Sequence, residues 1–183
     1  MSGGRFIAIV GPSGAGKDTV MAAFAVRHAG TVLARRVITR RADAGGEDFE
    51  SVSRAEFDRR AQSGDFVLHW QAHGLCYGIG AALRDDLAAG RDVLVNLSRG
   101  VLEEAIEIFP RGRIIHLTAS PQVLATRLAA RGREAPREIE ARINRAVRAI
   151  PAHLPVQEIR NDGDLATTLA ALASALAPQG AAR

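Results

Sequence analysis

Glycines and a lone lysine carry the clearest chemistry in this sequence. Gly11-Pro12-Ser13-Gly14-Ala15-Gly16-Lys17 runs directly into Asp18 and Thr19. Gly11, Gly14 and Gly16 permit backbone conformations and close approaches that a Cβ forbids, so successive N–H groups can converge on phosphate oxygens. Of 24 basic side chains Lys17 is the one lysine. A compact ammonium with three donors on a slim stem suits a bridge between the β- and γ-phosphates of a nucleoside triphosphate. The loop Gly11, Pro12, Ser13, Gly14, Ala15 and Gly16, with Lys17, Asp18 and Thr19 opening the next helix, is therefore expected to bind ATP, as the P-loop pattern requires.

One position departs from that pattern. Asp18 stands where a Ser or Thr hydroxyl usually ligates Mg²⁺. A carboxylate beside a triphosphate is repelled unless a divalent cation lies between them. The run 92–97, where a metal-holding acid often sits, ends in Asn96, with Ser98 just beyond it. Asp18 is expected to supply the missing carboxylate to Mg²⁺, directly or through water.

Positioning these groups takes a strand, a loop and a helix. Residues 5–10 (RFIAIV) form the strand, and Val20, Met21, Phe24 and His28 give 17–28 a near-helical apolar spacing. Apolar runs at 92–97 and 113–118 are each followed by a helical stretch, at 100–108 and 121–130. Such alternation implies a parallel sheet covered on both faces. Ser120 before Pro121 makes a good helix start, and Leu165, Leu169, Leu172 and Leu176 stripe a last helix. Residues 37–80 break the rhythm with clustered charge, a short helix near 53–62 and a hairpin at 66–78, and read as an inserted subdomain. Residues 127–148 hold a run of arginines interrupted by Gly132 and Pro136. They read as a lid. The fold class expected is α/β, a single P-loop NTPase domain with core 1–36, 81–126 and 149–178, insertion 37–80, lid 127–148 and tail 179–183.

Composition narrows the function. The 183 residues carry a net charge of only +4, which argues against a protein that coats nucleic acid. The single cysteine excludes an intramolecular disulfide framework and a cysteine-based zinc site. No run of 18 apolar residues and no signal-peptide pattern is present, so no membrane partner is expected and the cytoplasm is the expected location.

Across most of its length the chain resembles the guanylate kinase group of nucleoside monophosphate kinases. The resemblance rests on GPSGAGK (11–17), ITR (38–40), GED (46–48), FVLHWQAHGLCYG (66–78), DVLVNLSRG (92–100), RLAARGR (127–133), IEAR (139–142) and NDG (161–163). It implies an acceptor-binding insertion and an arginine-bearing lid. Arg127, Arg131 and Arg142, with Lys17, then fall at catalytic positions that clamp the transferring phosphoryl group, and Asn161 falls near the adenine.

The likeness weakens where that family reads guanine. Leu68 replaces a glutamate, Ile79 a serine, and Asn96 and Ser98 two aspartates. The pattern is closer to a branch whose acceptor is a sugar phosphate, ribose 1,5-bisphosphate, whose 1-phosphate would attack the γ-phosphoryl of ATP. Arg40 and Tyr77, with Arg41 as a displaced second arginine, remain to read acceptor phosphate. Arg99, His69 and His73 are expected to bind the sugar's far phosphate near the space vacated by guanine, with Asn96 and Ser98 also on the substrate. His28, His116 and His153 read as structural. The competing readings are a guanylate or other nucleotide kinase and a non-catalytic binding module of the same fold. The sequence leaves a homodimer open.

Overall fold

The computed structural model describes residues 3–44, 47–130 and 150–177. Its centre is β1 (Phe6–Val10), an apolar run buried at every position, as a strand covered on both faces must be. Around it a five-stranded sheet runs β2 (Thr31–Leu33), β7 (Asp92–Asn96), β1, β8 (Arg113–Thr118), β9 (Val156–Arg160), with every pairing parallel. Side chains alternate across it. Ile7 and Ile9 pack with Val20, Met21 and Phe24 of α1 (Lys17–Arg27) and with Leu169, Leu172 and Leu176 of α6 (Leu165–Leu176). Phe6, Ala8 and Val10 join a second cluster with Leu83 of α3 (Leu83–Ala88) and Leu102 and Ala105 of α4 (Leu102–Ile108).

The helix ends follow local chemistry. The Asp164 carboxylate accepts the Thr167 N–H at 2.8 Å and caps α6. Ser120 opens α5 (Pro121–Ala130) as its residue type suggests, its hydroxyl accepting the Val123 N–H at 3.4 Å.

Residues 36–80 build a separate four-stranded sheet in the order β4 (Phe49–Ser51), β3 (Arg36–Ile38), β6 (Leu75–Gly80), β5 (Phe66–Ala72). Phe57 of α2 (Arg54–Gln62) covers one face together with Val37, Phe66 and Cys76. On the other face Leu68, Trp70 and Ile79 merge into the main core. The hairpin turns through His73 and Gly74, at φ 52° and 74°. These left-handed values are those of a two-residue hairpin turn matched to strand twist.

Sheet register sets out the functional edge. Ile9 pairs with Asn96 and Val10 with His116, so the C-terminal ends of β7, β1 and β8 open side by side. Ligands of open parallel sheets bind at that edge.

Candidate active site

The loop after β1 is shaped by what surrounds it. A Cβ on Gly11 would lie 2.0 Å from the Leu117 carbonyl oxygen. Gly16 sits at φ 87°, where a Cβ would meet the Asn161 amide nitrogen at 2.6 Å. These are steric reasons for glycine. Lys17 Nζ donates to the carbonyls of Gly11 at 2.9 Å and Pro12 at 3.1 Å, folding the ammonium over the loop. Burial lowers its pKa to about 8; Asp18 and Glu47 oppose the fall, while Arg36 and Arg99 add to it.

Asn161, expected near the adenine, lies against the phosphate loop. Its amide donates to the Ala15 carbonyl at 2.8 Å and its oxygen accepts the Thr168 hydroxyl at 2.8 Å. Buried and with both ends of the amide engaged, Asn161 braces the loop from behind. Arg127 donates to the Gly14 carbonyl at 3.4 Å and places its charge at the loop's outer edge. Arg131 and Arg142 lie outside the described residues.

At the end of β7 the buried Asn96 donates its amide N–H to the Asp18 carboxylate at 2.9 Å. Asp18 is otherwise exposed, as is Thr19. The carboxylate is open to solvent and close enough to Lys17 to act on its charge. With phosphate oxygens and water it makes the hard-oxygen donor set that Mg²⁺ takes. Ser98 accepts the Gly100 N–H at 3.5 Å and shapes the turn into α4. From that turn an Arg99 Nη lies 3.2 Å from His116 Nε2.

The second sheet carries a further group of candidate residues. Arg36 and Glu47 form a two-pronged ion pair with side chains 12% and 14% exposed. Arg36 also donates to the Asn96 carbonyl at 3.3 Å and lies over the Tyr77 ring, 5.3 Å from its centroid. Burial raises the Tyr77 pKa against the pull of Arg36 and Arg40, so both guanidinium groups act on its hydroxyl. Tyr77 stacks on Trp70 at 5.3 Å, and Arg40 lies over Phe49 at 4.2 Å. Arg41 is exposed and paired with Asp43. A cavity of about 470 Å³ at the outer end of this sheet has Arg40, Arg41 and Arg54 on its walls.

Two expected residues are placed elsewhere. His69 pairs with Gly78 and lies against Phe57 and Phe66, on the α2 face and opposite Tyr77. The alternation of strand side chains puts it there. His73 is an exposed turn residue at the hairpin tip. Leu68 and Ile79, at the positions where the resemblance puts base-reading groups, are 1% and 0% exposed and belong to the main core. Arg36 and Glu47 are not among the residues the sequence singles out, and His116 read as structural. Glu47 was visible within GED, but its partner was not.

A sequence model described as guanylate kinase matches residues 3–179. The chain belongs to the guanylate kinase family. It is 48% identical over 167 residues to a ribose 1,5-bisphosphate phosphokinase of Ruegeria sp. (strain TM1040), covering 91% of this chain and 88% of that one. A protein of the same description from Pseudomonas paraeruginosa is 45% identical over 174 residues, covering 92% and 93%. Among solved structures, a guanylate kinase from Anaplasma phagocytophilum superposes with a TM-score of 0.68 at 21% identity, covering 96% of this chain and 86% of that chain. That likeness shows the fold. Among the described residues, no helix is long and apolar enough to cross a membrane.

Proposed function

We propose that the chain transfers the γ-phosphoryl group of ATP to the 1-phosphate of ribose 1,5-bisphosphate, giving ADP and 5-phosphoribosyl 1-diphosphate, a step of phosphonate degradation. The observation that carries this reading is that buried, apolar Leu68 and Ile79 stand where the family's base-reading groups would, beside an intact phosphate loop. A buried apolar wall cannot hydrogen-bond guanine, and a site without those bonds forfeits its discrimination. The names of the relatives at 45% and 48% identity support the same acceptor.

An oxygen of the acceptor's 1-phosphate attacks the γ-phosphorus of ATP. The bond from that phosphorus to the β–γ bridging oxygen breaks, and ADP leaves with the electron pair. A phosphate acceptor is already ionised at neutral pH, so positioning and charge neutralisation carry the reaction. Lys17 moves from its loop carbonyls to the β- and γ-phosphates, and the loop N–H groups hold the β-phosphate at the helix N-terminus. Asp18, with the triphosphate oxygens, would hold Mg²⁺, which would supply further charge neutralisation. Arg36, Arg40 and Tyr77 orient the acceptor through its phosphates. Arg127, with Arg131 and Arg142 of the lid, covers the transferring group. The insertion 37–80 is the acceptor-binding unit and 127–148 the lid.

The test is an ADP-release assay with ATP and Mg²⁺, offering ribose 1,5-bisphosphate and GMP side by side, with phosphorus NMR of the product. The expected result is a diphosphate resonance from the sugar and no turnover of GMP. Turnover of GMP alone would overturn the reading.

A further inference from the structure

Arg99 and His116 meet across the root of the phosphate loop. Arg99 follows β7, His116 lies in the C-terminal half of β8, and β1 lies between those strands. His116 pairs in register with Val10, the residue before Gly11. Parallel strands stand about 4.8 Å apart, so only a long side chain spans two of those gaps. Arg99 does so, and its Nη lies 3.2 Å from His116 Nε2. Arginine is always the donor in such a pair, so Nε2 must be unprotonated. The neutral ring then carries its proton on Nδ1, which faces the Glu158 carboxylate at 3.8 Å.

We propose that neutral His116 is a positioning residue for phosphoryl transfer, helping to hold the Arg99 guanidinium across the root of the phosphate loop and withdrawing that contact when the ring is protonated. This rests on the kinase reading above. Every charged group facing the ring bears on the device. Burial, Arg99 and Lys17 disfavour the imidazolium, and Glu158 opposes them. Glu158 is itself held by the Thr118 hydroxyl at 3.1 Å and is more than half exposed, which screens its pull. The net effect lowers the His116 pKa below its ordinary value. The neutral ring therefore prevails at neutral pH, and the contact is lost in acid.

Two measurements test this on the full chain. In the first, histidine ring resonances are titrated in the wild type and in Arg99→Gln, with His116→Gln assigning the signal. The His116 midpoint is expected to rise in Arg99→Gln, because a neighbouring cation has gone; an unchanged midpoint overturns the proposal. In the second, kcat/KM for ATP is followed against pH with ribose 1,5-bisphosphate saturating. His116→Leu is expected to lose about tenfold at pH 8, the worth of one charged hydrogen bond, and His116→Gln, whose amide oxygen accepts at any pH, to recover most of that loss. Substrate phosphates titrate near pH ~6 in every variant, so the reading is the difference between variants. The wild type should fall by one proton more steeply in acid than His116→Gln. Equal acid limbs in the two overturn the proposal. If the acceptor assignment is wrong, the wild type fails to turn over the sugar at pH 8 while the resonance titration still decides the contact.

Discussion

Lys17 and Asp18 are neighbours in sequence with opposite charges, and the loop gives them different tasks. The depressed pKa of Lys17 belongs to the protein without phosphate on the amine. Since kcat/KM reports ionisations of the free enzyme and kcat those of the complex, kcat/KM for ATP is expected to fall above about pH 8. With ATP saturating, anionic phosphates stabilise the ammonium and kcat should hold to higher pH. A steady-state pH profile checks both. Lys17→Ala removes a donor aimed at developing charge, and a loss of about 10²–10³ in kcat is expected. Asp18→Asn keeps an acceptor for the Asn96 amide but removes the formal charge. The Mg²⁺ concentration giving half-maximal turnover is expected to rise at least several-fold, and an unchanged Mg²⁺ titration would remove Asp18 from the metal.

Between elements, close approach and burial decide what each position tolerates. Gly16→Ala meets both a left-handed φ and the Asn161 amide at 2.6 Å. A raised KM for ATP and a lower melting temperature are expected together, because the same brace shapes the loop and packs it. Leu68→Glu places a carboxylate in the position that reads guanine in the family. Here that position is 1% exposed within the main core, so an unpaired charge would be buried. The variant is expected to be strongly destabilised and still inert with GMP, as an unfolding curve and the acceptor assay would show. At the opposite edge of the sheet Arg5 holds Asp92 through side-chain and backbone N–H bonds. Burial alone would raise the Asp92 pKa, but the Arg5 contacts outweigh it and hold the carboxyl below its ordinary range. A lowered folded-state pKa contributes stability that is present above the unfolded value of about 3.9 and lost as pH falls through the folded one. Asp92→Asn is therefore expected to cost about 1–2 kcal/mol near neutrality and progressively less in acid.

For the molecule as a whole, the arrangement of the two sheets matters most. Leu68, Trp70 and Ile79 of the second sheet share a core with Phe6 and Val93 of the first, and Arg36 ties the sheets together at the Asn96 carbonyl. Arg36→Gln is expected to raise KM for the acceptor about tenfold and to change KM for ATP less, since Arg36 belongs to the proposed acceptor site. Glu47→Gln leaves a buried guanidinium without its charge partner and should cost about 3 kcal/mol in a denaturant titration. Much of this architecture was legible in the amino-acid sequence. Phosphate loop, central strand, first helix and capped helix after Ser120 are all written in neighbouring residues, because turn, strand and helix geometry act over short range. The short strands β2, β3 and β4, of three residues each, are too brief to show alternation, and β9 (VQEIR) lacks an apolar run. Tertiary structure alone decided which groups face one another. Strand register turned His69 away from Tyr77, since a step of one residue reverses the face. Chain crossover brought together Arg99 and His116, 17 residues apart, and Ala15 and Asn161, 146 apart. Residue type determines what a side chain can do; contacts over such separations depend on how strands are ordered and helices packed, which no local pattern encodes.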